Sequence, residues 1–302
     1  MKYILPLVGV LLRSTAAASN GSNIKSSPFD PNEPVHQIHD KYPPNMTSTW
    51  TYGVKHDGWW IAHEALRGEV NDFQMALESL VSSPLTSTAT SATAFTDRSV
   101  VVIAMQTWWR GHLKHMHSHH RNEDRIIKRF ATQRFRWPDF IETDHEDILQ
   151  RLDAIDTLVH RIVEIGTSVM SSSLNNGSIS PPSDNFVMCM VELKSLWTDY
   201  NQVILQHLDQ EEEVCIALMR AYFHPKHVQR MQHRLGMMGP AIEMGAIVHY
   251  VGEVGMKESM KAQKTPRMME VIGWNLILKP RHRHYMKAMV KQLDILKHAR
   301  LE

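Results

Sequence analysis

The sequence predicts an all-α protein: an up-down four-helix bundle followed by a C-terminal helical extension. Three observations predict it. Apolar residues recur with the 3.6-residue period of a helix over four stretches of about 30 residues each. The separators between those stretches carry turn and breaker chemistry. The one β-branched run, Val100 to Ile103, is continued at helical spacing by Met105, Trp109 and Leu113 and so belongs to a helix.

The N-terminus reads as an address followed by a leader. Lys2, the apolar run Tyr3 to Leu12 and Ala16-Ala17-Ala18 have the order of a secretory signal over residues 1–19, with a plastid-type leader as the alternative. Sequons at Asn20, Asn45 and Asn176 fit a glycoprotein of the secretory pathway or the extracellular space. Residues 20–52, rich in Asn, Ser and Pro, read as an extended leader. Helices are placed near 53–82, 97–131, 139–173 and 185–223, so the bundle occupies 53–224. The separators are Ser82-Ser83-Pro84 with the Ser/Thr run to Asp97, Trp137-Pro138, and the stretch from Ser171 to Asn185. Residues 225–302 form the extension, in shorter pieces broken at Gly239-Pro240, Thr265-Pro266 and Lys279-Pro280, with many Met residues as soft core filler.

Composition removes several classes of function. Hydrophobic residues at 43% and charged residues at 22% are near the globular norm. A net charge of +1 leaves no excess of positive charge to neutralise nucleic acid or dock on an anionic membrane. Tyr3 to Leu12 is too short to span a bilayer about 30 Å thick, and no transmembrane segment is expected. Cys189 and Cys215 lie on one expected helix about 39 Å apart, beyond the roughly 7 Å that a disulfide allows. Nineteen His beside two Cys turn attention to metals that imidazole binds.

A metal centre inside a bundle must place its ligands on the stripe that otherwise holds Leu and Val. In the second helix Met105, Trp109, Met116, Ile127 and Phe130 define that stripe, with Glu123 on it and His119 about 40° to one side. His120 lies at its boundary, and most of HLKHMHSHHRNED reads as a solvated face. In the fourth helix His207 and Glu211 share the stripe of Leu196, Tyr200, Val203, Val214 and Leu218, while Glu212 and Glu213 turn out. His63 shares a face with Trp59, Val70 and Leu77, and His145 with Ile141, Leu152, Val159 and Val163. Antiparallel packing brings His63, His119, Glu123, His145, His207 and Glu211 to one layer. His56 and His112 share the inner stripes but lie seven residues, about 10.5 Å, from His63 and His119, and read as core or supporting groups. Imidazole with carboxylate suits Fe, Zn or Mn, and two inward Glu would be costly to bury without a cation. A bridging carboxylate would also offset the charge of two adjacent cations.

HEALR from His63, HHRNED with His119 four before Glu123, DHEDIL around His145 and HLDQEEE with His207 four before Glu211 resemble the hemerythrin-like (His-His-Glu) cation-binding family. The likeness covers about 55–223. It implies a four-helix bundle with a non-haem di-iron centre ligated by those six residues, with Zn or Mn as alternative metals. Two departures stand out. The oxygen carriers of the family have two His one turn apart on the third helix, where Leu149 stands here, and their last carboxylate follows the final His by five residues rather than four. The expected function is therefore a metal-binding protein that holds or senses iron, with O2 or another small diatomic as a further ligand. An O2- or peroxide-activating oxidase and a metal-free structural helical protein are the alternatives.

Overall fold

The computed structural model describes residues 44–82, 98–176 and 184–299; the signal segment 1–19, most of the leader and the Ser/Thr run lie outside them. Within them the chain is helical, with no strand among the described residues. Four long helices come first: α1 (Gly58–Ser82), α2 (Arg98–Asn122), α3 (Asp139–Asn176) and α4 (Asp184–Glu211). α2 runs through a wide π turn, Glu123–Ile127, into a last turn, Lys128–Ala131; α4 does the same through Glu212–Ile216 into Ala217–Tyr222. α5 (Pro225–Met238) and α6 (Ala241–Ala262) follow. α7 (Arg267–Ile272), α8 (Lys279–Tyr285) and α9 (Lys291–His298) are joined by the π segments Gly273–Leu278 and Met286–Val290.

Caps and breakers explain where these helices start. α1 begins at Gly58, later than the periodicity suggests, because Gly53 leads only into a short 3-10 turn, Val54–His56. Asp57 then caps the helix by accepting from the backbone N–H of Trp59 at 3.2 Å. α3 begins one residue after Trp137-Pro138 with Asp139 in its first turn, where a carboxylate meets the positive end of the helix. His224 caps α5, with Pro225 at its first position. Lys279-Pro280, read from the sequence as a break, does not stop the chain. Pro280 follows directly on the wide turn Gly273–Leu278 in a backbone that stays helical, and the π geometry there accommodates a residue without an N–H. Asn45 is exposed at the start of a 3-10 turn.

Two apolar clusters fill the interior, and each long helix contributes to both. One is built on Ala65, Val70 and Phe73 of α1, Trp108 and Met116 of α2, Ile148 and Leu152 of α3, and Tyr200 and Ile204 of α4. The other holds Trp59, Ile127, Ile141 and Cys215 together with Phe135 and Trp137 of the α2–α3 connection. Neighbours pack as α1 with α4, α4 with α3 and α3 with α2.

The extension packs onto this group. α6 and α9 each pack against both α1 and α2, and Ile242, Ala246, Tyr285, Met289 and Leu293 join the larger cluster. Close approach is possible because glycines face the incoming side chains. A Cβ on Gly68 would stand 2.1 Å from the Tyr250 ring, and one on Gly111 would stand 2.1 Å from the Met289 sulfur. α6 bends at Gly252, whose φ of 75° is the left-handed region open to glycine. Cys189 and Cys215 are both buried and free, as their separation requires. No described helix is long and apolar enough to cross a membrane.

Candidate metal centre

A polar layer separates the two apolar clusters. It lies between Trp59 and Ala65 on α1, between Met116 and Ile127 along α2, between Ile141 and Ile148 on α3, and between Ile204 and Cys215 along α4. In it the structure brings together His63, His119, Glu123, His145, His207 and Glu211, all six buried. A seventh group joins them. His120, left at the stripe boundary by helical phase alone, is 2% exposed, and its ring stacks on that of His145 at 4.2 Å.

The donors fall into two sets. One comprises His63, His119, Glu123 and Glu211, the other His120, His145 and His207, and within each set one donor atom per residue lies within 4.8 Å of the others. The two carboxylates face both sets. Glu123 Oε1 lies 3.7 Å from His63 Nε2 and 3.1 Å from His119 Nε2, while its Oε2 lies 3.5 Å from His145 Nε2. Glu211 Oε2 lies 3.4 Å from His63 Nε2 and 3.5 Å from His207 Nε2, and its Oε1 lies 3.9 Å from His145 Nε2.

These contacts do not satisfy the groups. The Nε2 atoms of His63, His119, His145 and His207, both ring nitrogens of His120, Glu123 Oε2 and both oxygens of Glu211 are buried without a hydrogen-bond partner. So many orphaned donors and acceptors in one layer would be costly in a finished core. One donor atom from each of the seven residues is placed as a metal site requires, so the donor set is compatible with metal binding.

The opposite edge of three imidazoles is held from outside the layer. His63 Nδ1 bonds Glu212 at 3.0 Å, His145 Nδ1 bonds Asp124 at 3.0 Å, and His207 Nδ1 bonds Asp144 at 3.2 Å. A carboxylate on Nδ1 fixes the ring and leaves Nε2 facing inward, the arrangement that ligating histidines use. Glu212 and Asp124 lie off their helices' stripes, as their phase predicts, yet both reach a layer histidine from the side. Each occupies the gap between neighbouring helices, Glu212 beside Arg67 at 2.6 Å. Glu213 is exposed, as expected. Trp59, stacked against Trp137, donates Nε1–H to Glu123 at 2.9 Å.

Charge in the layer follows from its neighbours. Burial works against a charged His63, but the carboxylates of Glu123, Glu211 and Glu212 outweigh it and hold its pKa well above the ordinary value. His207 is raised in the same way, against burial, by Glu211 and Asp144. Burial would raise Glu123, yet the surrounding imidazoles, His119 foremost, hold it well below the ordinary carboxylate value. Burial, reinforced by His145, pushes His120 well below its ordinary value, so it is a neutral imidazole with free lone-pair capacity.

A second buried polar group sits one to two turns along α1 and α2. Glu69 takes His112 Nδ1 at 2.9 Å and His115 Nδ1 at 3.0 Å, and His112 Nε2 meets the Tyr200 hydroxyl at 3.1 Å. His112 is thus a core group, as its phase suggests. His115 and Glu69 carry no signal in the sequence beyond being one residue type among many. Much of the histidine-rich run is buried rather than solvated: of its five His, only His117 is exposed. The reason is that α6 and α9 cover a face of α2 that a bundle alone would leave to water. His56 lies in the turn before α1 and bonds Ser259 of α6 at 3.1 Å, so it belongs to the extension's docking surface.

No family model, curated protein or solved structure matches the chain.

Proposed function

We propose that the four long helices form an up-down four-helix bundle whose polar layer holds two metal ions, with iron the metal and a hemerythrin-like protein the class. The observation that supports this reading most is the set of nine buried, unpartnered ring-nitrogen and carboxylate-oxygen atoms gathered from four helices in one layer. His63 and His119 would hold one ion, His120, His145 and His207 the other, and Glu123 and Glu211 would serve both. His120 then supplies, from α2, the imidazole that the oxygen carriers draw from a second His on their third helix. The ion pair supplies Lewis acidity and one-electron redox chemistry when bound. The protein's own contribution is to exclude water between two apolar clusters and to fix the rings through Glu212, Asp124 and Asp144. Holding or sensing iron, with O2 or a similar diatomic as the further ligand, is the function these features favour. The secretory pathway is the proposed location.

Metal analysis of protein purified without a histidine tag tests the reading. About two ions per chain, mostly iron rather than Zn or Mn, is the expected content of a carboxylate-bridged pair. Protein that takes up no metal from an iron-supplemented medium would leave a structural helical role and overturn it.

A further inference from the structure

The net charge of +1, too small over the whole chain to dock it on an anionic membrane, conceals a marked local asymmetry that overturns that expectation for one face. Between Val254 and Lys291 the chain carries nine Lys and Arg against two Glu, so the remainder is acidic. The same segment exposes apolar side chains where a surface helix normally carries polar ones. Met268 is 68% exposed, Val271 53%, Ile272 43% and Leu276 72%, and Val254 on the second half of α6 is 71% exposed. Met268, Val271, Ile272 and Leu276 recur at helical spacing along α7 and the π segment after it, and Lys279 and Arg283 extend that solvent-facing side. The opposite side is anchored by Trp274 and Leu278 in the larger core, with Lys257 of α6 5.5 Å from the Trp274 ring. The helix is therefore held firmly with its apolar stripe outward.

We infer that this face, Met268 to Leu276 with its basic surround, docks the protein on an anionic lipid surface. Apolar side chains of this size enter the boundary between headgroups and acyl chains, and Lys and Arg around them meet lipid phosphates and carboxylates. Charge selects this occupant over the others. A second copy would bring the same positive surround against itself. Residues 1–43, with four Lys and Arg against three Asp and Glu, offer no acidic run to match it. The inference does not depend on the metal centre.

Flotation of the full chain with vesicles tests it, using phosphatidylcholine alone or mixed with phosphatidylserine, at low and high salt. Wild-type protein should float with the serine-containing vesicles and release in high salt. Each basic residue near the surface contributes about fivefold to partitioning, so Lys279→Glu with Arg283→Glu should lower it by well over tenfold. Leu276→Glu should abolish it, while helix content and metal loading stay unchanged because the position faces solvent. Absence of flotation in the wild type, flotation unaffected by these substitutions, or equal binding to both vesicle types would overturn the inference. So would a wild-type dimer in solution that Leu276→Glu dissociates, with no affinity for lipid.

Discussion

Side chains one position apart do different work in this protein. Glu211 lies in the layer with both oxygens unpartnered, Glu212 reaches in only as far as His63 Nδ1, and Glu213 faces solvent. Glu211→Gln, which keeps shape and removes charge, should abolish metal loading at one or both positions. Glu212→Gln should weaken affinity by about 10–100-fold, the usual consequence of losing the group that orients a ligating imidazole. Glu213→Gln should leave the metal content unchanged. His120→Phe, which replaces an imidazole by a ring of similar size, should lower the content from two ions toward one. Quantifying bound metal in the four variants checks all of these. Glu69 gives a separate expectation. Burial raises its pKa, but His115 and His112 outweigh that and hold it at about 2. A depressed carboxylate contributes stability that is present above the unfolded-state pKa and lost as pH falls through the folded one. The pair with His115, whose own pKa is raised by Glu69 against burial, also weakens as pH rises through that raised value and the imidazole loses its proton. Glu69→Gln should therefore cost on the order of 3 kcal/mol between about pH 5 and 6 and progressively less toward pH 2. Urea midpoints of the two proteins across that range measure it.

Helix phase alone identifies much of the layer. His63, His119, Glu123, His145, His207 and Glu211 lie on stripes whose other members, such as Trp59, Met116, Ile141 and Tyr200, identify the buried side. Residues that complete the layer were not legible in this way. Asp124, Asp144 and Glu212 sit off the stripes and gain their roles from a neighbouring helix, a relation no single-helix projection contains. His120 was ambiguous for a related reason: a π turn begins at Glu123, so an ideal 100° step does not fix the phase of the groups beside it. The wide turns recur where α2 and α4 carry their inward carboxylates. The fit of the extension was equally hidden, since glycines reveal a notch only once a partner fills it. At Gly245 a Cβ would meet the Arg281 carbonyl oxygen at 2.7 Å, a backbone atom that no rotamer change can move. Gly245→Val should destabilise the protein by about 1–3 kcal/mol, seen as a lower thermal midpoint.

At the scale of the whole molecule, one polar layer lies between two apolar clusters, and the extension seals α1 and α2 on the outside. That arrangement excludes water from seven ligand-type side chains while leaving them unsatisfied by one another. A fold that tolerates this many buried polar orphans should gain stability from whatever fills the layer, because binding to the native state alone raises its free energy of unfolding. Removal of metal by a chelator should therefore lower the thermal midpoint, and the Glu211→Gln protein should show a smaller response or none. Anaerobic titration of the metal-free protein with Fe(II), followed by the thermal midpoint, tests the central claim most directly. The account predicts a rise that ends sharply at two equivalents of iron per chain. A midpoint unmoved by iron, or a response complete at one equivalent, would contradict it.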